Sequence, residues 1–190
     1  MKTQTIERKG ASKQEPYGVV TEPGTVRIER VLPGPITRVW AYLVESDKRG
    51  KWLASGAMDQ RVGGEVELRF NHADLSCEKT PPDEFKQSQC DSRRLSHITR
   101  LDAPRLLSYT WSEDSDAPSE VTFELAPHGD DVQLTVTHRK LDRPTMLMVS
   151  AGWHTHLGIL TDTLHGEEPR PFWSTFMRLK GEYATRLAAN

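Results

Sequence analysis

The sequence predicts an α+β fold in which a curved antiparallel sheet packs one face against a long C-terminal helix. Between residues 65 and 138, apolar and polar residues alternate in several segments, as they do in strands with one buried face. Between residues 144 and 164, apolar residues instead recur with the period of a helix. Two short helical patterns separate the first strand from the others. A sheet with helices on one face is a stable two-layer arrangement.

Length, charge and hydropathy narrow the class of protein. The 190 residues correspond to one domain, at ~100 to 200 residues per domain. The formal net charge of −2 gives no electropositive field for nucleic acid. No apolar run approaches the ~18 residues of a spanning helix, and the N-terminus MKTQTIERKGASKQEP lacks the apolar centre of a signal peptide. We therefore expect a cytoplasmic protein with no membrane span and no nucleic-acid partner.

The beginning of the chain is polar and has no periodic apolar pattern. Segments of this composition do not bury enough apolar surface to become ordered. We expect a flexible polar tail over residues 1–22 and a single domain over residues 23–188.

The domain begins with a strand and two short helices. Val26 and Ile28 alternate with polar neighbours, which predicts a strand from Thr25. Pro35 suits the first turn of a helix. Four apolar residues then follow at i, i+3, i+4 and i+7, on one helical face: Ile36, Val39, Trp40 and Leu43. Ser46 is a residue type that caps helices, and it predicts a second short helix.

A run of antiparallel strands follows. The clearest two-residue period lies after Gly63-Gly64, where Val66, Leu68 and Phe70 alternate with polar residues. Further strands are predicted at 93–101, 105–112, 119–126 and 131–138. Residues 72–92 contain little pattern and form a loop longer than the usual ~4 to 6 residues. Such a loop would narrow the mouth of any cavity beside it.

The last fifty residues are predicted to be helical. Pro144 begins a long helix, whose apolar stripe consists of Met146, Val149, Trp153, Leu157, Leu160 and Leu164. Because it lies on that stripe, Trp153 is expected to be buried against the sheet. A second amphipathic segment over residues 172–187 should dock on the same body.

Five stretches resemble a known family. They are LPGPITRVWAYLVESDKRGKWL (32–53), VGGEVELRF (62–70), RLDAPRLLSYTW (100–111), EVTFELAPHGDDVQLTVTH (120–138) and AGWHTHLGILTDTLHGEEPRPFW (151–173). Their order resembles the helix-grip fold of the START/SRPBCC superfamily, and it is most similar to the family of homologues of the activator of heat shock protein 90 ATPase. The resemblance covers residues 23–188.

This resemblance implies a helix-grip fold but carries no catalytic signature. The eukaryotic activator has an additional N-terminal domain that engages the chaperone, and we expect no room for one in 190 residues. A sheet that grips one helix often leaves a cavity beside it.

The predicted ligand cavity lies between the sheet and the C-terminal helix. Its candidate residues are Phe70, His97, Tyr109, Trp111, Phe123, Met146, Trp153, His154 and Leu157. The sequence does not decide the orientation of His97, because the strand register is unknown. The side chain faces inward if Leu95 and Leu101 do, and it faces solvent if Ile98 is buried.

Other chemistry finds little support in the sequence. His154 and His156 lie about 200° apart on a helix and cannot bind one metal ion from one face. Cys77 and Cys90 are expected to be reduced thiols. There is no Gly-x-Ser-x-Gly elbow and no phosphate-binding glycine motif. We expect no metal, no cofactor and no identifiable catalytic group.

The sequence thus favours a protein that binds a small hydrophobic or amphipathic ligand in a cavity. Two alternatives stay open. One is a chaperone-related or stress-response protein that acts through its surface, with a protein partner or as a homodimer. The other is an enzyme that acts on a substrate held in the cavity.

Overall fold

The computed structural model describes residues 15–86, 92–111 and 118–188. Its strands are β1 (Val19–Glu22), β2 (Thr25–Pro33), β3 (Glu65–Phe70), β4 (Ser92–Asp102), β5 (Leu106–Trp111), β6 (Ser119–His128) and β7 (Asp131–Arg139). Its α-helices are α1 (Ile36–Val44), α2 (Ser46–Arg49), α3 (Arg143–His165) and α4 (Phe172–Ala188). The predicted α+β fold, with two short helices before the main run of strands, is confirmed.

The strands form one antiparallel sheet in the order β1-β2-β7-β6-β5-β4-β3. The hairpin connections place β3 to β7 side by side, whereas β2 pairs with β7. Helices α1 and α2 bridge the distance between β2 and β3, which lie far apart in the sheet. Every pair of neighbours is antiparallel, which is the arrangement that the sequence predicted for adjacent strands.

The core lies between one face of the sheet and helix α3. Val66, Leu68, Val121 and Phe123 are almost completely buried, because the alternation of each strand places them on the same inner face. Trp153 is 3% exposed and its ring lies 5.5 Å from that of Phe123, edge to face. The prediction that Trp153 packs between α3 and the sheet is confirmed.

Both ends of α3 have residues that cap a helix. Asp142 caps the start, because its carboxylate accepts a hydrogen bond from the backbone N–H of Thr145 at 2.7 Å. Gly166 ends the helix in the left-handed conformation, with φ 73°. Within the described residues, no helix is long and apolar enough to cross a bilayer.

A buried arginine ties α2 to β3. Arg49 is 1% exposed and donates to four backbone carbonyls, those of Val44, Ala54, Gly56 and Glu67. The guanidinium group therefore satisfies the polar backbone of the irregular segment between these elements. This segment brings Leu53 to the inner side of the sheet.

The prediction of a flexible tail over residues 1–22 is wrong for its last eight residues. Strand β1 pairs with β2 at the sheet edge, and Tyr17 and Gly18 bond to Glu182 and Tyr183 of α4. The β1 side chains are exposed, so this segment is held by backbone pairing and polar contacts. It therefore shows no apolar pattern that sequence could reveal. Residues 1–14 lie outside the described part of the chain.

Candidate functional site

A cavity of about 680 Å³ opens between the sheet, α3 and α4. Its described lining residues come from every layer of the fold: Leu53, Phe70, His72, Phe85, Ser92, Arg94, Trp111, Ser119, Lys140, Leu141, Asp142, Thr145, Met148, Val149, Gly152, Trp153, His156, Phe172, Trp173 and Phe176. Most of these side chains are apolar, and seven of them are Phe or Trp. The cavity exists because α3 covers one part of the inner sheet face, while β3 to β6 extend beyond it.

Aromatic rings form a continuous wall along the sheet. Trp111 at the end of β5 lies 5.9 Å from Phe70 of β3 and 5.2 Å from Trp153 of α3, between ring centroids. The Trp111 ring also stacks over Tyr109 at 6.3 Å. Arg94 places its guanidinium 5.7 Å from the Phe70 ring and 5.9 Å from the Trp111 ring, within the range of cation–π attraction.

Helix α4 supplies the opposite wall. Phe172, Trp173 and Phe176 lie in its first two turns, and the Trp173 ring stacks on Phe85 at 5.7 Å. Phe85 belongs to a short 3-10 turn in the segment that follows β3. The sequence predicted that this segment would narrow the mouth of a cavity. Two of its residues, His72 and Phe85, line the cavity.

The same segment caps α4. Ser76 accepts a hydrogen bond from the backbone N–H of Phe172 at 3.0 Å, and Glu78 accepts one from Ser174 at 2.9 Å. These contacts satisfy two of the N–H groups that a helix leaves unpaired at its start. The segment after β3 and the start of α4 therefore form one unit over the cavity.

Two histidines stand together on the cavity wall. The rings of His72 and His156 lie 5.5 Å apart. Burial lowers the pKa of His72 to about 4, with the Arg94 charge as a second cause. Burial lowers the pKa of His156 to about 3, helped by His72. Both imidazoles are neutral near pH 7.

A directed chain of hydrogen bonds runs behind Trp153. Its indole N–H donates to Nδ1 of His138 at 3.0 Å, so the neutral ring carries its proton on Nε2. That nitrogen lies 2.9 Å from the hydroxyl of Ser119, which donates to the carbonyl of Trp111 at 3.3 Å. The chain orients the Trp153 ring and connects it, through His138 and Ser119, to the backbone of β5 at Trp111. Burial lowers the pKa of His138 to about 3, which keeps the ring neutral.

The structure brings three of the nine predicted cavity residues to the cavity: Phe70, Trp111 and Trp153. Tyr109, Phe123 and Leu157 are buried in the core behind it. Met146 packs with Val26 and Leu141 in a separate cluster.

His97 is exposed. Ile98 is 1% exposed, which settles the register that the sequence left open. The side chain of His97 therefore points away from the cavity.

His154 lies on the other side of α3, in a cluster of charges. Glu15 contacts buried Arg30 at 3.4 Å and Arg170 at 2.8 Å, and Arg170 is also paired with Asp162 at 2.6 Å. Burial, followed by the Arg30 and Arg170 charges, lowers the pKa of His154 to about 3. The 3.7 Å contact of His154 with Glu15 therefore involves a neutral ring. This cluster anchors the N-terminal segment.

Sequence reasoning missed His72, His156, Phe85 and the aromatic residues of α4. The helical period separated His156 from His154 by about 200°, and only His154 was included among the candidate cavity residues. The segment over residues 72–92 was expected beside the cavity. The amphipathic pattern of residues 172–187 predicted docking, without showing which side of α3 it would occupy.

The described residues contain neither a cluster of metal ligands nor a pair of neighbouring cysteines. No three His, Cys, Asp or Glu side chains there lie close enough to hold a metal ion. Cys77 is a free, exposed thiol, and Cys90 lies outside the described residues.

A family model described as "Activator of Hsp90 ATPase homolog 1-like protein" matches residues 33–165. Helix α4 and strand β1 lie outside the matched range. Comparison with curated proteins gave no match.

Several solved structures share the fold of this chain. The protein encoded by gene BPP1335 of Bordetella parapertussis is 42% identical, with 90% of each chain covered and a TM-score of 0.77. CalU16 from Micromonospora echinospora is 23% identical, and the alignment covers 87% of this chain and 86% of CalU16, with a TM-score of 0.65. DynU16, from the dynemicin biosynthetic locus, is 18% identical, and the alignment covers 79% of this chain and 51% of the DynU16 chain, with a TM-score of 0.59. The last two similarities show a common fold.

Proposed function

This chain belongs to the family of activator of Hsp90 ATPase homolog 1-like proteins, and from that premise we propose that it binds a small, mainly apolar ligand between the sheet and helices α3 and α4. The ligand lies against the aromatic walls, and the few polar groups of the cavity orient it. The family alone does not select this activity, because one fold carries many functions. The support comes from the cavity of this chain.

The cavity is the observation that carries the proposal. Its volume of about 680 Å³ falls within the ~300 to 1,000 Å³ of small-molecule sites. Its lining is mainly apolar, with eight polar or charged residues among twenty, which also fits such sites. The cavity is partly open to solvent, so a ligand can enter it and reach the aromatic walls.

Gly152 offers a way to block the cavity without disturbing the fold. It lies on α3 and lines the cavity, and a Cβ added there meets no atom within 4 Å. A leucine at this position would project into the ligand space. Because leucine also favours helix over glycine by about 0.5 to 1 kcal/mol, the folded state should not be weakened.

The experiment compares ligand binding by the wild type and Gly152→Leu. Thermal unfolding is followed with neutral aromatic compounds, beginning with 2-naphthol, since a ligand that binds only the folded state raises the unfolding temperature. We expect a shift in the wild type and at least a tenfold loss of affinity in Gly152→Leu.

Gly181→Leu is the matched control. Gly181 lies in α4 and is exposed, and a Cβ there also meets nothing within 4 Å. This variant should bind like the wild type. If Gly152→Leu binds as tightly as Gly181→Leu, the ligand is not in the cavity, and the role of the protein lies at its surface instead.

A native mass spectrum of freshly purified protein would identify a ligand that is retained through purification. A bound small molecule present in the wild type and lost in Gly152→Leu would support the same conclusion.

A further inference from the structure

We propose that His156 accepts a hydrogen bond from the polar end of the ligand, and that the ligand is an aromatic molecule with a neutral hydroxyl group, a phenol in the simplest case. This inference rests on the proposed binding function and names the ligand class of the same cavity.

The tautomer of His156 follows from its backbone contact. Nδ1 lies 2.7 Å from the carbonyl oxygen of Trp52. A carbonyl oxygen can only accept, so Nδ1 carries the proton and donates it. In the neutral ring Nε2 then has a lone pair and no proton. Nε2 is on the side of the ring away from Trp52, and His156 lines the cavity.

Nε2 of His156 has no hydrogen-bond partner in the described part of the chain. The residue is nevertheless 93% buried, with 7% of its surface exposed. Nε2 is not among the fully buried side-chain atoms that lack a partner, so this nitrogen is accessible from the cavity. An acceptor left open on a cavity wall is therefore a place where a ligand donor would fit.

The surroundings of His156 favour a donor that is itself neutral. Burial and the neighbouring His72 hold the pKa of His156 at about 3, so the ring does not become cationic near pH 7. A carboxylate would require a protonated Nε2 to bond to. A hydroxyl group can donate to Nε2 as it stands.

The aromatic side chains around His156 indicate the kind of group that should carry the hydroxyl. The His156 ring lies 5.1 Å from Phe172, and the His72 ring lies 4.5 Å from the same phenylalanine. Trp111 and Trp153 continue the aromatic surface on the sheet side. Aromatic rings gain from offset and edge-to-face contacts beyond the burial of area, so a hydroxyl carried by an aromatic ring suits this wall best.

Three probes with one ring system separate these requirements. 2-Naphthol has a hydroxyl donor, 2-methoxynaphthalene has the same oxygen without the proton, and 2-naphthoate has an anion. By isothermal titration at pH 7, we expect 2-naphthol to bind about two- to tenfold more tightly than 2-methoxynaphthalene, the range of one hydrogen bond. 2-Naphthoate has no donor for Nε2, so His156→Asn should leave its affinity, to which the cavity residues Arg94 and Lys140 contribute by charge, unchanged.

His156→Asn tests the assigned atom. The asparagine amide nitrogen can take the place of Nδ1 and donate to Trp52, whereas nothing replaces Nε2. The preference for 2-naphthol over 2-methoxynaphthalene should disappear, while binding of 2-methoxynaphthalene remains. His97→Asn, on the solvent side of the sheet, is the matched control and should keep the preference.

A spectroscopic readout on the wild type is independent of any variant. With 15N-labelled histidine, the Nε2 resonance of His156 should shift when 2-naphthol binds and remain nearly constant with 2-methoxynaphthalene. This measurement decides the matter if His156→Asn does not fold.

The outcomes separate the two proposals. If none of the three probes binds, the cavity-binding function fails and this inference fails with it. If 2-naphthol and 2-methoxynaphthalene bind equally to the wild type, and the Nε2 resonance responds to neither, the cavity function stands but His156 is not its acceptor.

Discussion

At the scale of single residues, burial holds four histidines neutral. The pKa of His72 is lowered to about 4, and the pKa values of His138, His154 and His156 to about 3, with desolvation as the largest cause in each case. Neutral rings can accept as well as donate, which the Trp153–His138–Ser119 chain requires. The same property makes the folded state sensitive to acid.

The sign of this sensitivity follows from linkage. The unfolded chain takes up protons on these histidines below pH 6.5, whereas folded His156 remains unprotonated to about pH 3. Stability is therefore lost as pH falls from 6.5 toward 3, by up to about 1.4 kcal/mol per pH unit for each histidine.

His156→Asn should remove one such contribution. Between pH 6.5 and 4.5, we expect the variant to lose about 2 kcal/mol less unfolding free energy than the wild type. Urea denaturation at several pH values measures the difference. Parallel curves for the wild type and His156→Asn would contradict the neutral state of folded His156.

A pair of glycines on α3 provides a second test at this scale. A Cβ at Gly158 would lie 2.5 Å from Nη1 of Arg170, and that guanidinium is held by Asp162 and Glu15. Gly158→Ala should therefore destabilise the protein by about 1 to 3 kcal/mol, as overpacking does. Gly152→Ala, where nothing lies within 4 Å, should stabilise it by up to about 1 kcal/mol. Equal stability of the two variants would show that Arg170 moves aside freely.

At the scale of elements, the sequence predicted what periodicity can encode. The alternation over 65–70 corresponds to β3 and the helical stripe over 144–164 to α3, and both elements were confirmed. Helix α3 is buried on all sides between residues 153 and 160, because α4 also packs against it. Strand β1 was missed because its side chains are exposed and its order comes from pairing with β2. The side of α3 that α4 occupies was also hidden, since it depends on contacts with Ser76 and Glu78, about a hundred residues away in sequence.

Truncation distinguishes the parts of the N-terminal segment. A chain that begins at Glu15 keeps the carboxylate that faces buried Arg30, and we expect its unfolding free energy to stay within about 0.5 kcal/mol of the full chain. A chain that begins at Val19 loses that carboxylate and the carbonyl of Pro16, to which Arg30 also donates. It should lose about 3 to 5 kcal/mol, because a buried charge is left without its partner. Chemical denaturation measures both, and equal stability would mean that Arg30 finds water or another partner.

At the scale of the whole molecule, helix α3 separates two different environments. On one side lies the aromatic cavity, and on the other lies the charge cluster of Glu15, Arg30, Asp162 and Arg170. The sequence predicted a cavity beside α3, because one helix cannot cover a wide sheet. The sequence could not predict which side of α3 faces the cavity and which faces the charge cluster. That depends on the rotation of α3 about its axis, which is set by packing against both the sheet and α4. That rotation places His156 at the cavity and His154 in the cluster.

The distribution of tryptophans makes cavity occupation visible. The chain has five tryptophans; Trp111, Trp153 and Trp173 line the cavity, while Trp40 and Trp52 are buried in the core and are not among its lining residues. A bound aromatic ligand would contact the first three, so 2-naphthol should change the intrinsic fluorescence along a saturable curve with the affinity found by calorimetry.

Single substitutions assign this signal. Trp173→Phe should reduce the fluorescence change on binding. This substitution costs no hydrogen bond within the described residues, where the buried indole N–H has no acceptor. Trp40→Phe, the matched control in the core, should leave the change intact. A response that survives in Trp173→Phe and disappears in Trp40→Phe would place the ligand near α1, because the emission of a tryptophan responds to its immediate surroundings.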